Sequence, residues 1–167
     1  MSSIQHCVLA IVVLCAGLAC RASDDVASDH EIAVGNVPEN IIKAAKEKFQ
    51  VAKFLTAEKR TSNKKLVHFS LEIKLKDKST IDAYFDGDGK LLRTGVSATV
   101  DTVPTPVKDA FNKQYADWTV TEINKETDLE NKRDVYSVDI NKGGKQLELD
   151  FAPDGTIVKT LELKDED

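Results

Sequence analysis

Three groups of residues in this 167-residue sequence could carry chemistry, and the first is the acidic run Asp86-Gly87-Asp88-Gly89. It begins like a calcium loop, in which alternate carboxylates supply oxygen ligands and glycine permits a sharp turn. An EF-hand also needs an acidic ligand at position 12 of its loop, and Ser97 occupies that position here. We therefore interpret the run as a hairpin turn with Asp-Gly at its positive-φ positions. The sequence predicts no metal site, and Asp86 and Asp88 are its nearest candidates.

The other two groups are His68 with Ser70 and Glu72 with Asp82. Because His68 and Ser70 are two positions apart on a predicted strand, their side chains are too far from each other for a tight Ser-His pair. No third group that would orient the histidine is evident. Glu72 and Asp82, on neighbouring predicted strands, could do acid-base work, although a solvated sheet face normally carries such charges. The sequence therefore predicts no catalytic residue and no cofactor, and we expect the protein not to be an enzyme.

A long stretch of the chain recurs 66 positions later, with apolar residues opposite apolar ones. An equal offset kept over such a distance indicates a tandem duplication. We place repeat 1 at 37–100 and repeat 2 at 101–163. The corresponding pairs include Val37-Pro38 and Val103-Pro104, Phe85 and Phe151, and Asp88-Gly89 and Asp154-Gly155.

Each repeat is predicted to begin with a helix and to continue with strands. Pro38 and Pro104 open the helices, because proline has its φ preset for the first helical turn, and apolar residues then recur every three or four positions. After each helix the period changes to two, which is typical of strands with one buried and one solvated face. The predicted strands are 53–59, 67–75, 80–85 and 90–96 in repeat 1 and 118–126, 135–141, 145–152 and 156–163 in repeat 2.

The N-terminal 22 residues are predicted to be an export signal, although residues 1–6 lack the usual Lys or Arg. Cys7 to Leu18 is an apolar run that is too short to span a bilayer but suits a signal peptide. Cleavage could follow Ala19 or Ala22, or Cys20 could be acylated, in which case the protein would be anchored to the membrane. The acidic stretch 23–36 is predicted to be a linker, and 164–167 an acidic tail. All three cysteines lie in or beside the signal, so we expect no disulfide in the folded part.

The formal charge of −5 and a pI near 5.3 disfavour nucleic acid as a partner. The polar face of the predicted sheet is the remaining candidate site, and Tyr84 with His68 is the predicted anchor for a partner. A plain solvated sheet face is the alternative interpretation. The predicted binding residues are His68, Glu72, Asp82, Tyr84, Asp139 and Glu148.

Residues 37–163 contain a helix opened by Val-Pro, the aromatic Trp118 after it, an alternating strand that ends in Phe-Asp or Phe-Ala, and an Asp-Gly turn. This pattern resembles that of the PepSY-like, β-lactamase-inhibitor-like proteins. This resemblance implies an α+β fold of two tandem repeats, each with one helix packed on a four-stranded antiparallel meander, with the two meanders able to form one continuous sheet. It also implies a secreted or periplasmic protein. Most members of the family have no assigned molecular function, and the distant inhibitor relatives that have one bind a hydrolase across the open face of the sheet.

From the residues and the resemblance together we expect a non-catalytic, exported binding or inhibitory module of the bacterial cell envelope. Its partner would be an extracytoplasmic protein such as a peptidase or another hydrolase. The alternative function is that of a calcium- or metal-responsive envelope protein. Neither the identity of the partner nor the oligomeric state is predicted.

Overall fold

The structure, a computed structural model, describes residues 26–63 and 66–164, which form nine strands, two short α-helices and the 3₁₀ helices Val34–Asn36 and Val100–Thr102. The predicted signal peptide, Cys20 and residues 165–167 of the predicted tail lie outside the described residues. The helices are α1 (Glu39–Lys48) and α2 (Thr105–Tyr115). The strands are β1 (Val26–Glu31), β2 (Val51–Ser62), β3 (Val67–Leu75), β4 (Thr80–Asp86), β5 (Leu91–Ser97), β6 (Thr119–Asp128), β7 (Arg133–Lys142), β8 (Lys145–Phe151) and β9 (Ile157–Leu163).

The nine strands form one closed barrel in the order of the sequence. Each strand from β1 to β8 pairs antiparallel with the next one. The barrel closes where β1 runs parallel to β9, with Val26 opposite Glu162 and Ala27 opposite Leu163. Just beyond this pair the Lys164 amide donates to the Ala27 carbonyl over 2.9 Å. The predicted fold of two helix-on-meander repeats is therefore wrong, because a ninth strand, β1, pairs with both β2 and β9 and closes the sheet into one barrel without a free edge.

The strand that closes the barrel lies in the stretch for which the composition predicts a linker. β1 contains VASDHE and pairs with β2 from Ala27 opposite Ser62 to Glu31 opposite Glu58. Alternating apolar residues are the usual signal of a strand, and β1 lacks them because Asp29 faces a polar interior. A short acidic strand of this kind cannot be distinguished from a linker by its composition.

The apolar side chains of the sheet point outward, where the two helices cover them. On one side, Ile41 and Ala45 of α1 pack in a cluster with Leu71 and Phe85. The second cluster joins Val107 of α2 to side chains of β7 and β8, namely Tyr136, Val138, Ile140, Leu147, Leu149 and Phe151. Because side chains alternate along a strand, the residues between these apolar positions point into the barrel.

Local turn chemistry agrees with the sequence. Gly89 and Gly155 have φ values of 84° and 88° in turns that join β4 to β5 and β8 to β9, so both Asp-Gly runs are hairpin turns as predicted, but Asp88 and Asp154 do not share the predicted positive φ. Asp86 Oδ1 accepts hydrogen bonds from the amides of Asp88 and Lys90, at 3.0 and 2.8 Å, and thereby stabilises its own turn. Within the described ranges, no helix is long and apolar enough to cross a membrane.

The turn at Gly155 provides a test of how closely the sheet approaches α2. A Cβ atom at Gly155 would lie 2.4 Å from the Pro106 carbonyl oxygen, whereas one at Gly144 would meet nothing within 4 Å, although Gly144 also has a positive φ of 83°. We expect Gly155→Ala to lower the free energy of unfolding by about 1–3 kcal/mol more than Gly144→Ala. Urea denaturation of both variants measures this difference, and equal losses would show that α2 does not rest on this turn.

Candidate functional site

The interior of the barrel is a polar cavity of about 730 Å³. Side chains from all nine strands line it, and most of them are polar or charged. Its volume falls within the range of small-molecule sites, roughly 300–1,000 Å³, although such sites are mostly apolar. The cavity is therefore large enough for a small molecule and has an unusually charged lining.

All six residues predicted to bind a partner line this cavity. The sequence places them on one polar sheet face, and the closed barrel turns that face inward, so that Glu148 is only 5% exposed and the other five are half-buried. Their role in binding stays a prediction, but their surroundings differ from those of a solvated face. The six are His68, Glu72, Asp82, Tyr84, Asp139 and Glu148.

Arg60 is the centre of a network of partly buried ion pairs, which we call the Arg60 network. Its guanidinium donates to both carboxylate oxygens of Asp29 over 2.6 Å and to Glu148 Oε2 over 2.6 Å. Lys159 Nζ donates to the other oxygen of Glu148 over 2.8 Å. Burial alone would raise the pKa of Glu148, but Arg60 and Lys159 outweigh it and hold that pKa well below its usual range. The network connects β1, β2, β8 and β9 across the point where the barrel closes.

Arg93 is the centre of a second network, which we call the Arg93 network. It donates to Glu126 Oε2 over 2.5 Å and to Asp150 Oδ2 over 2.9 Å. Both acids are almost completely buried, at 2% and 0% exposure. Burial, with a contribution from Asp150, raises the pKa of Glu126 to about 7 even though Arg93 lowers it. One cation thus serves two buried carboxylates, and Asp150 Oδ1 is left without a hydrogen-bond partner in the described part of the chain.

Five further carboxylates, contributed by five strands, line the cavity without a salt bridge to any described Lys or Arg. We call them the acidic cluster, which consists of Glu58, Glu72, Asp82, Glu122 and Asp139. Two pairs of its members face each other across neighbouring strands, Glu72 with Asp82 and Glu122 with Asp139. Like charges in directly opposed positions destabilise a sheet.

Two members of the acidic cluster are strongly perturbed. Burial raises the pKa of Asp82 to about 6, and the negative charges of Glu122, Glu72 and Glu58 add to the effect. Burial likewise raises the pKa of Asp139 to about 8, with Glu148 and Glu122 as its main acidic neighbours. At neutral pH, Asp139 is therefore largely protonated unless a cation binds beside it.

The structure does not form the Ser-His pair considered from the sequence. Ser70 Oγ donates to Glu58 Oε2 over 3.4 Å instead. Burial and the nearby charges of Arg60 and Lys159 lower the pKa of His68, which keeps its ring neutral at pH 7. In the described ranges, no three His, Cys, Asp or Glu side chains form a group that could hold a metal ion, and this includes the surroundings of Asp86 and Asp88.

Sequence reasoning missed the residues at the centres of both networks. The predicted strand 53–59 ends one residue before Arg60, and Asp29 lies in the predicted linker, so neither residue was placed on the sheet. Arg93 pairs with Tyr84, and the register between β4 and β5 shifts directly after this pair. A β-bulge of this kind re-aims a side chain, and period-two reasoning cannot locate it.

The model of a protein family described as "Putative beta-lactamase-inhibitor-like, PepSY-like" matches residues 26–93 and again 72–159. Several solved structures share the fold. A BLIP-like protein from Bacteroides fragilis NCTC 9343 is 18% identical, with 78% of this chain and 89% of that chain covered and a TM-score of 0.52. No match is found among curated proteins.

Two further solved structures are similar to the chain to the same degree. One, described as "putative periplasmic proteins" from Bacteroides eggerthii DSM 20697, is 16% identical with a TM-score of 0.53. The other, a DUF2874 family protein from Bacteroides uniformis ATCC 8492, is 16% identical with a TM-score of 0.52. In both cases 75% of this chain and 88% of the other are covered. At such low identity these likenesses concern the fold alone.

The Arg60 network provides a test of the charged interior. Arg60→Gln leaves Asp29 and one oxygen of Glu148 without their cation, and breaking a partly buried ion-pair network in this way costs about 2–3 kcal/mol. Lys43→Gln is the matched control, because the Lys43–Glu47 pair at 3.9 Å is exposed on α1, and such pairs contribute less than about 0.5 kcal/mol. Urea denaturation at pH 7 compares the two variants. Equal losses of stability would contradict a buried network.

Proposed function

The chain belongs to the PepSY-like, beta-lactamase-inhibitor-like family, and from this premise we propose that it is a non-catalytic binding protein whose site is the polar interior of the barrel. The observation that carries the proposal is the cavity of about 730 Å³ with charged side chains from every strand. Folding by itself does not favour such a lining, because buried charges that are not fully paired destabilise a protein. A bound ligand that satisfies them would compensate for this loss.

The closed barrel changes what kind of partner this site could accept. His68 and Tyr84, the predicted anchor, line the cavity rather than an open surface. A folded protein cannot dock flat against side chains that line a cavity, whereas a small molecule can enter it. An extracytoplasmic peptidase or other hydrolase stays a prediction as the partner, and it could reach these residues only by inserting an extended segment.

We place the protein outside the cytoplasm, in the cell envelope. The apolar run from Cys7 to Leu18 supports export, and so does the description of the Bacteroides eggerthii structure as periplasmic. After export, the chain is either released by signal cleavage or anchored to the membrane through acylated Cys20.

Access to the cavity can be measured with a single cysteine in a chain whose Cys7, Cys15 and Cys20 are replaced by serine. Ser137 lines the cavity at 6% exposure, whereas Ser79 is exposed in the turn between β3 and β4. We expect Ser137→Cys to react with cationic 2-aminoethyl methanethiosulfonate at least about tenfold faster than with the anionic 2-sulfonatoethyl reagent, because acidic clefts concentrate cations.

Ser79→Cys is the control in that experiment, since it reports the charge of the outer surface. Its preference between the two reagents is expected to be much smaller. If Ser137→Cys reacts with neither reagent while its circular dichroism spectrum is unchanged, the interior is closed to solutes and the proposed function fails. An equal reagent preference at the two positions would also contradict an acidic site.

A further inference from the structure

The charge inside the barrel is not balanced by the protein itself. Ten carboxylates but only four Lys or Arg side chains line the cavity, so its formal excess of negative charge is larger than the net charge of −5 of the whole chain. All four cations already have acidic partners: Arg60, Lys159 and Arg93 in the two networks, and Arg133 with Asp128 at 3.7 Å. The acidic cluster is what remains without a cation.

The excess negative charge of the acidic cluster is distributed over five strands of the barrel. Glu58, Glu72 and Asp82 come from the adjacent strands β2, β3 and β4, and Glu122 and Asp139 come from β6 and β7. Facing side chains on neighbouring strands have Cβ atoms roughly 4.5–5.5 Å apart. The negative charge therefore extends over several strand spacings rather than converging on a single point.

A buried acceptor beside the acidic cluster lacks a donor. Asn124 lines the cavity and is only 7% exposed. Its Nδ2 donates to Glu122 Oε1 over 2.6 Å, which fixes the orientation of the amide. Asn124 Oδ1 then has no hydrogen-bond partner among the described residues. A buried acceptor without a donor costs about 1–3 kcal/mol, so the site lacks N–H donors as well as positive charge.

We propose that the acidic cluster and Asn124 Oδ1 bind a small organic cation that carries two or more ammonium groups. Several ammonium groups on a flexible chain match carboxylates that are distributed over five strands, and each group supplies both the charge and the donors that the site lacks. A single metal ion needs converging ligands, and the described residues form no such group. This inference rests on the proposed function, since it names the class of ligand for the same cavity.

Protonation of the acidic cluster opposes binding of the cation. Asp82 and Asp139 have pKa values raised to about 6 and about 8, so they lose their charges as the pH falls through these values. The affinity for the cation is therefore expected to decrease steadily as the pH falls from 8 to 5. The charged groups that face these two carboxyls are Asp29, Glu58, Arg60, Glu72, Glu122 and Glu148.

Isothermal titration of the full chain with spermidine at pH 8 and low salt tests the inference. The variant Glu72→Gln/Asp82→Asn removes two charges from the acidic cluster, and we expect it to bind spermidine at least about tenfold more weakly. Because these substitutions remove like-charge repulsion, the variant is expected to fold at least as stably as the natural chain. The matched control Glu47→Gln/Asp109→Asn removes the same charge from the exposed faces of the helices and is expected to leave the affinity unchanged.

Two further titrations distinguish the class of ligand. Butylamine, which has one ammonium group, is expected to bind at least about tenfold more weakly than spermidine, and Asn124→Ala is expected to weaken spermidine binding roughly three- to tenfold. Calcium that binds more tightly than spermidine, equal losses in the two double variants, or no binding at all would each overturn the inference. If Ser137→Cys still prefers the cationic reagent in that case, the proposed function stands and only the ligand class fails.

Discussion

The constraint on which the rest of this structure depends is the alternation of side chains along strands that close into a barrel. In a closed sheet one set of alternate residues must point outward and the other inward. Here α1 and α2 pack against the outside, so the apolar set is buried there in two separate clusters. The polar set lines the interior, which encloses some of its members, such as Glu148, and leaves others, such as Glu58 and Glu122, exposed to solvent.

That enclosure determines how the interior charges behave. A buried carboxylate must pair with a cation or take up a proton, and the barrel shows both outcomes. Glu148 is held ionised by Arg60 and Lys159, whereas burial raises the pKa of Asp139 and its acidic neighbours Glu148 and Glu122 add to the effect. The candidate site is therefore the part of the interior in which the chain does not provide its own counter-charges, and this connects the fold directly to the kind of ligand that we propose.

Much of the local structure could be predicted from the sequence. The period-two pattern of 67–75 and 80–85 gave the correct strands, and it placed His68, Glu72, Asp82 and Tyr84 on the same face. The closure of the barrel could not be predicted in this way. It depends on β1, whose Asp29 pairs with Arg60 from a distant part of the chain, and no local pattern reveals such a partner. A sheet face that points into a barrel and a face that points to solvent have the same alternating sequence pattern. Because the pattern does not reveal the closure, the cavity and its perturbed carboxyls could not be predicted.

The most direct test of this account is a carbon-13 NMR titration of the side-chain carboxyl groups of Asp82 and Asp139. A charged face enclosed in a barrel predicts midpoints near pH 6 for Asp82 and near pH 8 for Asp139. A solvated face on an open sheet would instead give both residues midpoints near the ordinary value of about 3.9. That second result would contradict the enclosed acidic interior on which the proposed binding site depends.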